Sequence, residues 1–265
     1  MTGGFEEGQG PCPQTLAEGT TREAMLPDLH DIGAERSPSM IATPSPNTDA
    51  RPGGVDMLVL HYTGMQSGQA AIDRLRDPVA RVSSHYVVDE DGTVYCLVPE
   101  ELRAWHAGIS FWRGRRVLND GSVGIEIVNP GHEWGYRPFP EIQIASVIAL
   151  SQGIMARWPI PPGNVVAHSD IAPDRKQDPG ELFPWALLAR NGIGLWADCD
   201  GADLSPALRD LGPGLAALGF DLGDNAPPPE VTLRAFQRHW RQEAVTGLAD
   251  RGTELRLEAL LRARG

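Results

Sequence analysis

Long apolar runs are missing from this chain. Nowhere do about 18 apolar residues follow one another, which excludes a membrane-spanning helix. Basic runs are missing as well. Lys and Arg number 23 against 35 Asp and Glu, for a formal net charge of −12. A field of that sign opposes nucleic acid and anionic lipid, so neither is expected as a partner. Residues 1–21 contain no Lys or Arg and no apolar block, so both halves of a secretory signal are absent. Cysteine is scarce. Cys12, Cys96 and Cys199 are odd in number and widely spaced, which suggests neither a disulfide framework nor a Cys-based zinc site, and fits a reduced compartment. What the chain does have is an apolar fraction of 41 %, enough for a core, and 265 residues, enough for one or two domains.

Residues 1–50 are rich in Gly, Pro, Ser and Thr and hold eight acidic against two basic residues. That composition predicts a disordered acidic arm, drawn over residues 1–44. Met25 and Met40 are candidate natural starts, to be decided by the intact mass of protein from its own host. Met57-Leu58-Val59-Leu60 is a short apolar run ending in His61, the pattern of a buried strand that delivers a side chain at its C-terminal end. Residues 67–77 read as a helix with Ser67 as N-cap and Pro78 just beyond. Residues 84–98 read as a hairpin turning at Asp91-Gly92. Residues 122–128 form another β-rich run.

Residues 141–157 carry Ile142, Ala145, Ile148, Ala149, Ile154 and Met155 at helical spacing, as for a core-facing helix. Val165-Val166-Ala167 leads into His168, and residues 182–189 read as a short closing helix. Strands alternating with helices imply an α/β domain with a mixed central sheet flanked by helices, over about residues 45–195. After a linker-like stretch come three helical patterns near 205–218, 231–241 and 251–263. They predict a small C-terminal three-helix domain over residues 196–265, with Phe236 and Trp240 in a core of its own.

Two segments about a hundred residues apart carry the chemistry. LHYTGM (60–65) contributes His61, and HSDIAPDRKQDPG (168–180) contributes His168 and Asp178. Two imidazoles and one carboxylate are a ligand set of catalytic zinc, which keeps its fourth position for water. If the three meet in space, the chain is a metallohydrolase. Glu126 lies between apolar neighbours in VGIEIV (123–128). A carboxylate there must be paired, hydrogen-bonded or functional, and burial raises its pKa toward the range of a general base. Lys176, two residues before Asp178, can hold its ammonium near the metal and stabilise an oxyanion. Trp105 and His106, in AWHAG (104–108), are candidates for contact with substrate. His85 is expected to pack within the sheet, and His30, His132 and His239 to be surface or structural.

The stretches LVLHYTGM (58–65), SSHYVVDEDGTVYCLV (83–98), AWHAG (104–108), SVGIEIVNPG (122–131) and HSDIAPDRKQDPGELFPW (168–185) together resemble zinc-dependent N-acetylmuramoyl-L-alanine amidases of the type 2 family, relatives of peptidoglycan recognition proteins. The resemblance implies one zinc per chain on His61, His168 and Asp178, a catalytic glutamate at Glu126 and a transition-state lysine at Lys176. It implies hydrolysis of the amide between the lactyl group of N-acetylmuramic acid and L-alanine, in peptidoglycan or muropeptides. LRAFQRHWR (233–241) resembles the central helix of a peptidoglycan-binding three-helix domain. The tail is therefore expected to hold polymeric substrate and to perform no chemistry. A non-catalytic recognition protein and a zinc peptidase are the competing readings. The missing signal points to the cytoplasm; a wall-gripping tail would point to the envelope. Oligomeric state is not readable from the sequence.

Overall fold

The computed structural model describes residues 39–199 and 202–264. Eight strands are present there: β1 (Met40–Ala42), β2 (Thr48–Ala50), β3 (Met57–Tyr62), β4 (Tyr86–Val88), β5 (Val94–Cys96), β6 (Leu102–Ala104), β7 (Ser122–Ile127) and β8 (Val165–Ala167). Six of them form a mixed sheet in the order β1-β5-β4-β7-β3-β8, and β2 pairs with β6 in a small antiparallel ribbon. The β4–β5 pair is the only antiparallel one in the large sheet; the central strands β4, β7, β3 and β8 run parallel. The helices are α1 (Gly68–Arg76), α2 (Gly131–Trp134), α3 (Glu141–Arg157), α4 (His168–Ile171), α5 (Trp185–Arg190), α6 (Gly212–Leu218), α7 (Pro229–Trp240) and α8 (Arg251–Arg264). Among the described residues no helix is long and apolar enough to cross a membrane.

Local signals place several elements. The Ser67 hydroxyl accepts from the Ala70 N–H at 3.2 Å and caps α1, which stops at Asp77, before Pro78. Gly92 turns the β4–β5 hairpin at φ +85, where a Cβ would stand 2.9 Å from the Ser146 hydroxyl.

Period-two alternation then divides the sheet. Leu58, Leu60, Val123, Ile125 and Ile127 face α3 and α5 in one core; Met57, Val59 and Val166 lie in a second. In the first core α3 presents Ile144, Val147, Leu150 and Ile154. The stripe expected from its sequence is displaced: Ile142 is 54 % exposed and Ala145 is exposed. The helix is apolar on more than one stripe, so periodicity could not choose. The choice falls to Gln143, whose buried amide donates to the Val88 and Val128 carbonyls at 3.1 and 2.9 Å, where β4 and β7 end.

The second core corrects the picture of a self-contained tail. Leu215, Leu218, Phe220, Leu233, Phe236, Trp240, Leu257 and Leu260 cluster with Met57, Val59, Trp112, Leu118 and Val166 of the sheet and its loops. Phe236 and Trp240 thus belong to a shared core, because three short helices bury too little apolar surface among themselves. The first of them spans only Gly212–Leu218.

Residues 1–38, with His30, lie outside the described residues. The part of the expected arm that is described is ordered: β1 runs parallel to β5, and the Thr43 and Ser45 N–H groups donate to the Cys96 and Leu97 carbonyls at 2.9 Å each. The hairpin's open edge offers main-chain donors and acceptors that a polar composition does not deter. The cysteines need a second correction. Cys199 is a free thiol, and Cys96 is disulfide-bonded where the sequence suggested no disulfide framework.

Candidate active site

The parallel strands β3 and β7 set the site at their C-terminal ends, where ligands of α/β sheets bind. Their register pairs His61 with Glu126, so both side chains leave the same face of adjacent strands. β8 runs beside β3 and passes directly into α4, whose first residue is His168. The Ser169 N–H donates to the Asp178 carbonyl at 3.0 Å and ties the 172–178 turn back to α4. Three distant positions thereby reach one point.

There the His61 Nδ1 lies 2.8 Å from the His168 Nδ1 and 3.2 Å from the Asp178 Oδ2, and the His168 Nδ1 lies 2.9 Å from the same oxygen. All three residues are buried. A tetrahedral centre with bonds of about 2.0–2.1 Å separates its ligand atoms by about 3.3 Å, close to these edges. The far sides of the rings are spoken for. The His61 Nε2 is 3.1 Å from the His106 Nδ1, and the His168 Nε2 makes a longer 3.4 Å contact with the Ala107 carbonyl. With their protons on Nε2, the two imidazoles present two Nδ1 lone pairs beside a carboxylate oxygen. Three electron-pair donors with no proton among them fit a cation.

Electrostatics agrees. Burial, reinforced by neighbouring His168, pushes the His61 pKa down to about 4, so the ring is neutral. Burial by itself would raise Asp178, but the two imidazoles beside it outweigh that and hold it well below the ordinary carboxylate range.

Two carboxylates show what pairing decides. Glu100 is buried at 5 % exposure, yet Tyr86, Arg157 and Trp158 all donate to it. Burial pulls its pKa up, and those donors together bring it below the ordinary value. Glu126 has no such donors. Its Oε2 is shut off from solvent without a hydrogen-bond partner. Burial, and then the Asp178 charge, push its pKa well above the usual range against the opposing pull of Lys176. A carboxylate kept unpaired at the edge of a cleft is poised to exchange a proton.

The cleft is about 800 Å³ in volume, and Tyr62, Arg74, Trp105, Glu126, His132 and Lys176 are among its lining. Both residues expected to touch substrate line this cleft; Trp105 is half-buried and His106 is buried, at 8 % exposure. His85 packs within the sheet as expected, its Nδ1 accepting from the Gly124 N–H at 2.9 Å.

Two histidines expected to be surface or structural are so, and both lie close to the site. His132 stands at the cleft rim, 2.9 Å from the Tyr62 hydroxyl, stacked on Tyr136 and 3.2 Å from Glu181. His239 of α7 is fully buried between Trp185 and Trp240, and its Nδ1 donates to the Asp170 Oδ2 at 2.6 Å. That same oxygen accepts the Ala167 N–H at 2.8 Å, one residue before His168. A tail residue therefore braces the helix that carries His168. Tyr136 and Trp240 are near neighbours, but the hydrogen-bonding partners Tyr62, Glu181 and Asp170 are remote along the chain, so no local signal gives these places.

Comparison with known proteins agrees with this geometry. Residues 50–181 match the family described as N-acetylmuramoyl-L-alanine amidase. The chain is 41 % identical over 237 residues to the N-acetylmuramoyl-L-alanine amidase AmiD of Escherichia coli K12, covering 80 % of this chain and 84 % of AmiD. The solved complex of E. coli AmiD with anhydro-N-acetylmuramic acid-L-Ala-D-gamma-Glu-L-Lys superposes with a TM-score of 0.72 at 39 % identity, over 81 % of this chain and 92 % of that one. AmpDh3 of Pseudomonas aeruginosa, solved with an anhydromuramic pentapeptide, gives a TM-score of 0.71 at 35 % identity, over 81 % and 94 %. By sequence and by fold, this chain belongs to the N-acetylmuramoyl-L-alanine amidase family.

Proposed function

We propose that this enzyme cleaves the amide between the lactyl group of N-acetylmuramic acid and L-alanine, with one zinc held by His61, His168 and Asp178. The observation that carries the reading is the convergence of those three donor atoms beside the unpaired Glu126 carboxylate in an open cleft. The solved relatives that bind anhydromuramyl peptides support the substrate class.

Zinc, when bound, supplies Lewis-acid polarisation and makes water acidic enough to serve as a nucleophile near neutral pH. The chain's own residues do the rest. Glu126 accepts the proton of the attacking water, a role its raised pKa and missing hydrogen-bond partner suit. It then returns that proton to the departing L-alanine amine. Lys176 holds a positive charge at the same wall of the cleft and stabilises the oxygen of the tetrahedral intermediate. Losing such a stabiliser costs roughly 10²–10³ in rate.

The test is digestion of an anhydromuropeptide and of intact sacculi, side by side, by zinc-loaded full-length protein with and without a chelator. The expected products are free stem peptide and a muramyl sugar with a free lactyl acid. Cleavage between amino acids would make the chain a peptidase, and binding without turnover a receptor. Preference between the two substrates also bears on location. A bias to the small muropeptide fits the cytoplasm, and a bias to sacculi fits the envelope.

A further inference from the structure

The AWHAG segment was expected to meet substrate, but the bonds around His106 run the other way. The Ser122 hydroxyl donates to the Leu118 carbonyl at 2.7 Å. Its only proton is thereby used, so toward the His106 Nε2, 3.1 Å away, it can only accept. His106 therefore carries its proton on Nε2 and has a lone pair on Nδ1. That lone pair faces the His61 Nε2 at 3.1 Å and can only accept from it. A backbone carbonyl that can do nothing but accept thus sets the direction of every bond up to His61. The result is a His61 ring with its Nδ1 lone pair turned to the metal point.

The next residue does the same for the other ring, since the Ala107 carbonyl faces the His168 Nε2 at 3.4 Å. The segment is itself clamped. The Asn119 Oδ1 accepts the N–H groups of both His106 and Ala107, at 3.2 and 2.8 Å. Gly124 makes the seat for the ring, because a Cβ there would stand 2.5 Å from the His106 Cγ. Both ring nitrogens of His106 are occupied within the protein, which leaves neither for a substrate.

We infer that His106 is a positioning residue of the metal centre. With Ser122 behind it, it fixes the tautomer and plane of His61, while Ala107 beside it orients His168. Gly124 is glycine because the His106 ring occupies the space of its side chain. This rests on the zinc centre proposed above. Outer partners of metal-bound imidazoles typically contribute 10–100-fold to affinity or activity.

The test uses the full-length protein and zinc competed against a chromogenic chelator. His106→Phe, which fills the space without an acceptor, is expected to bind zinc 10–100-fold more weakly. His106→Gln, whose amide can accept from His61 and donate to Ser122, should recover most of that loss. Gly124→Ala should weaken zinc like His106→Phe. For muropeptide turnover, kcat should fall with KM unchanged. Melting of the zinc-free variants separates a folding defect from a metal defect. If no variant folds, nitrogen-15 NMR of the unmodified protein decides: His106 protonated on Nε2 supports the inference and on Nδ1 overturns it. A raised KM with intact zinc affinity would return His106 to substrate binding, and equal losses in Phe and Gln would reduce it to packing. Unmodified protein that takes up no zinc would instead remove the metal centre itself.

Discussion

Strand β7 shows two different surfaces in six residues. Val123, Ile125 and Ile127 point into an apolar core under α3 and α5. Ser122, Gly124 and Glu126 point the opposite way and meet His106, the metal point and the cleft. On β3 the split repeats, with Leu58 and Leu60 on one side and Met57, Val59 and His61 on the other. One face is covered by helices α3 and α5, mainly with apolar side chains. The other is covered in part by the C-terminal helices and left open where the chemistry sits. A sheet one residue out of phase would exchange the two, so the alternation that fixes the core also fixes the active site.

The largest test of this contrast removes the cover of the chemical face. Ending the chain after residue 204 would expose Met57, Val59 and Val166, each at most 1 % exposed in the intact protein. Burial of each such side chain is worth about 1.5–3 kcal/mol, against a whole-domain margin of about 5–15 kcal/mol. Aggregation is expected, or a fall in melting temperature of about 10–20 °C, with activity lost on small muropeptides and sacculi alike. This replaces the reading of the tail as a unit that only holds polymeric substrate. A truncated protein that melts normally and keeps muropeptide turnover would restore it.

A pair of neighbours sharpens the comparison. Ile125→Ala should cost about 2–5 kcal/mol in denaturant unfolding and leave kcat of the folded fraction near normal. Glu126→Gln should lower kcat by about 10²–10⁴ without lowering the melting temperature, because the amide escapes the cost of burying a charge. If both variants move both readouts together, the faces are not separable.

A smaller effect is expected where the tail braces the metal-ligand helix. His239→Leu deprives the buried Asp170 carboxylate of its 2.6 Å donor. A hydrogen bond to a charged group is worth about 1.5–3 kcal/mol, and urea unfolding should show a loss of that size. An unchanged midpoint would mean that the tail only covers the face.

The smallest is a pH dependence. Burial, and then the Arg51 charge, push the His85 pKa from 6.5 to about 3, and burial lowers His239 despite Asp170. Both rings take up a proton less readily in the folded protein than in the unfolded chain, which protonates below about 6.5. The unfolded state then binds more protons, so stability rises with pH across that window. It is complete above about 6.5 and is lost as pH falls toward 3. The urea midpoint of zinc-free protein should drop from pH 7.5 to pH 5, less steeply in His239→Gln. A flat midpoint would show that these imidazoles already titrate in the folded state.

The sequence by itself determined what depends on near neighbours. Alternation marked β3 and β7, Ser67 and Pro78 bounded α1, and Asp91-Gly92 marked the hairpin turn. The residue types in two segments named the three side chains whose donor atoms converge. The short strands β2 and β6 escaped because three residues carry no readable period, and α3 misled because more than one of its stripes is apolar. Only the tertiary structure decided that the C-terminal helices share a core with the sheet, that His239 reaches Asp170, and that the His106 ring meets His61. In each case the deciding partner is far along the chain. Whether an imidazole nitrogen donates or accepts is set by the atom opposite it, and for His61 that constraint passes through His106 and Ser122 to the carbonyl of Leu118. No local pattern of residues contains that information.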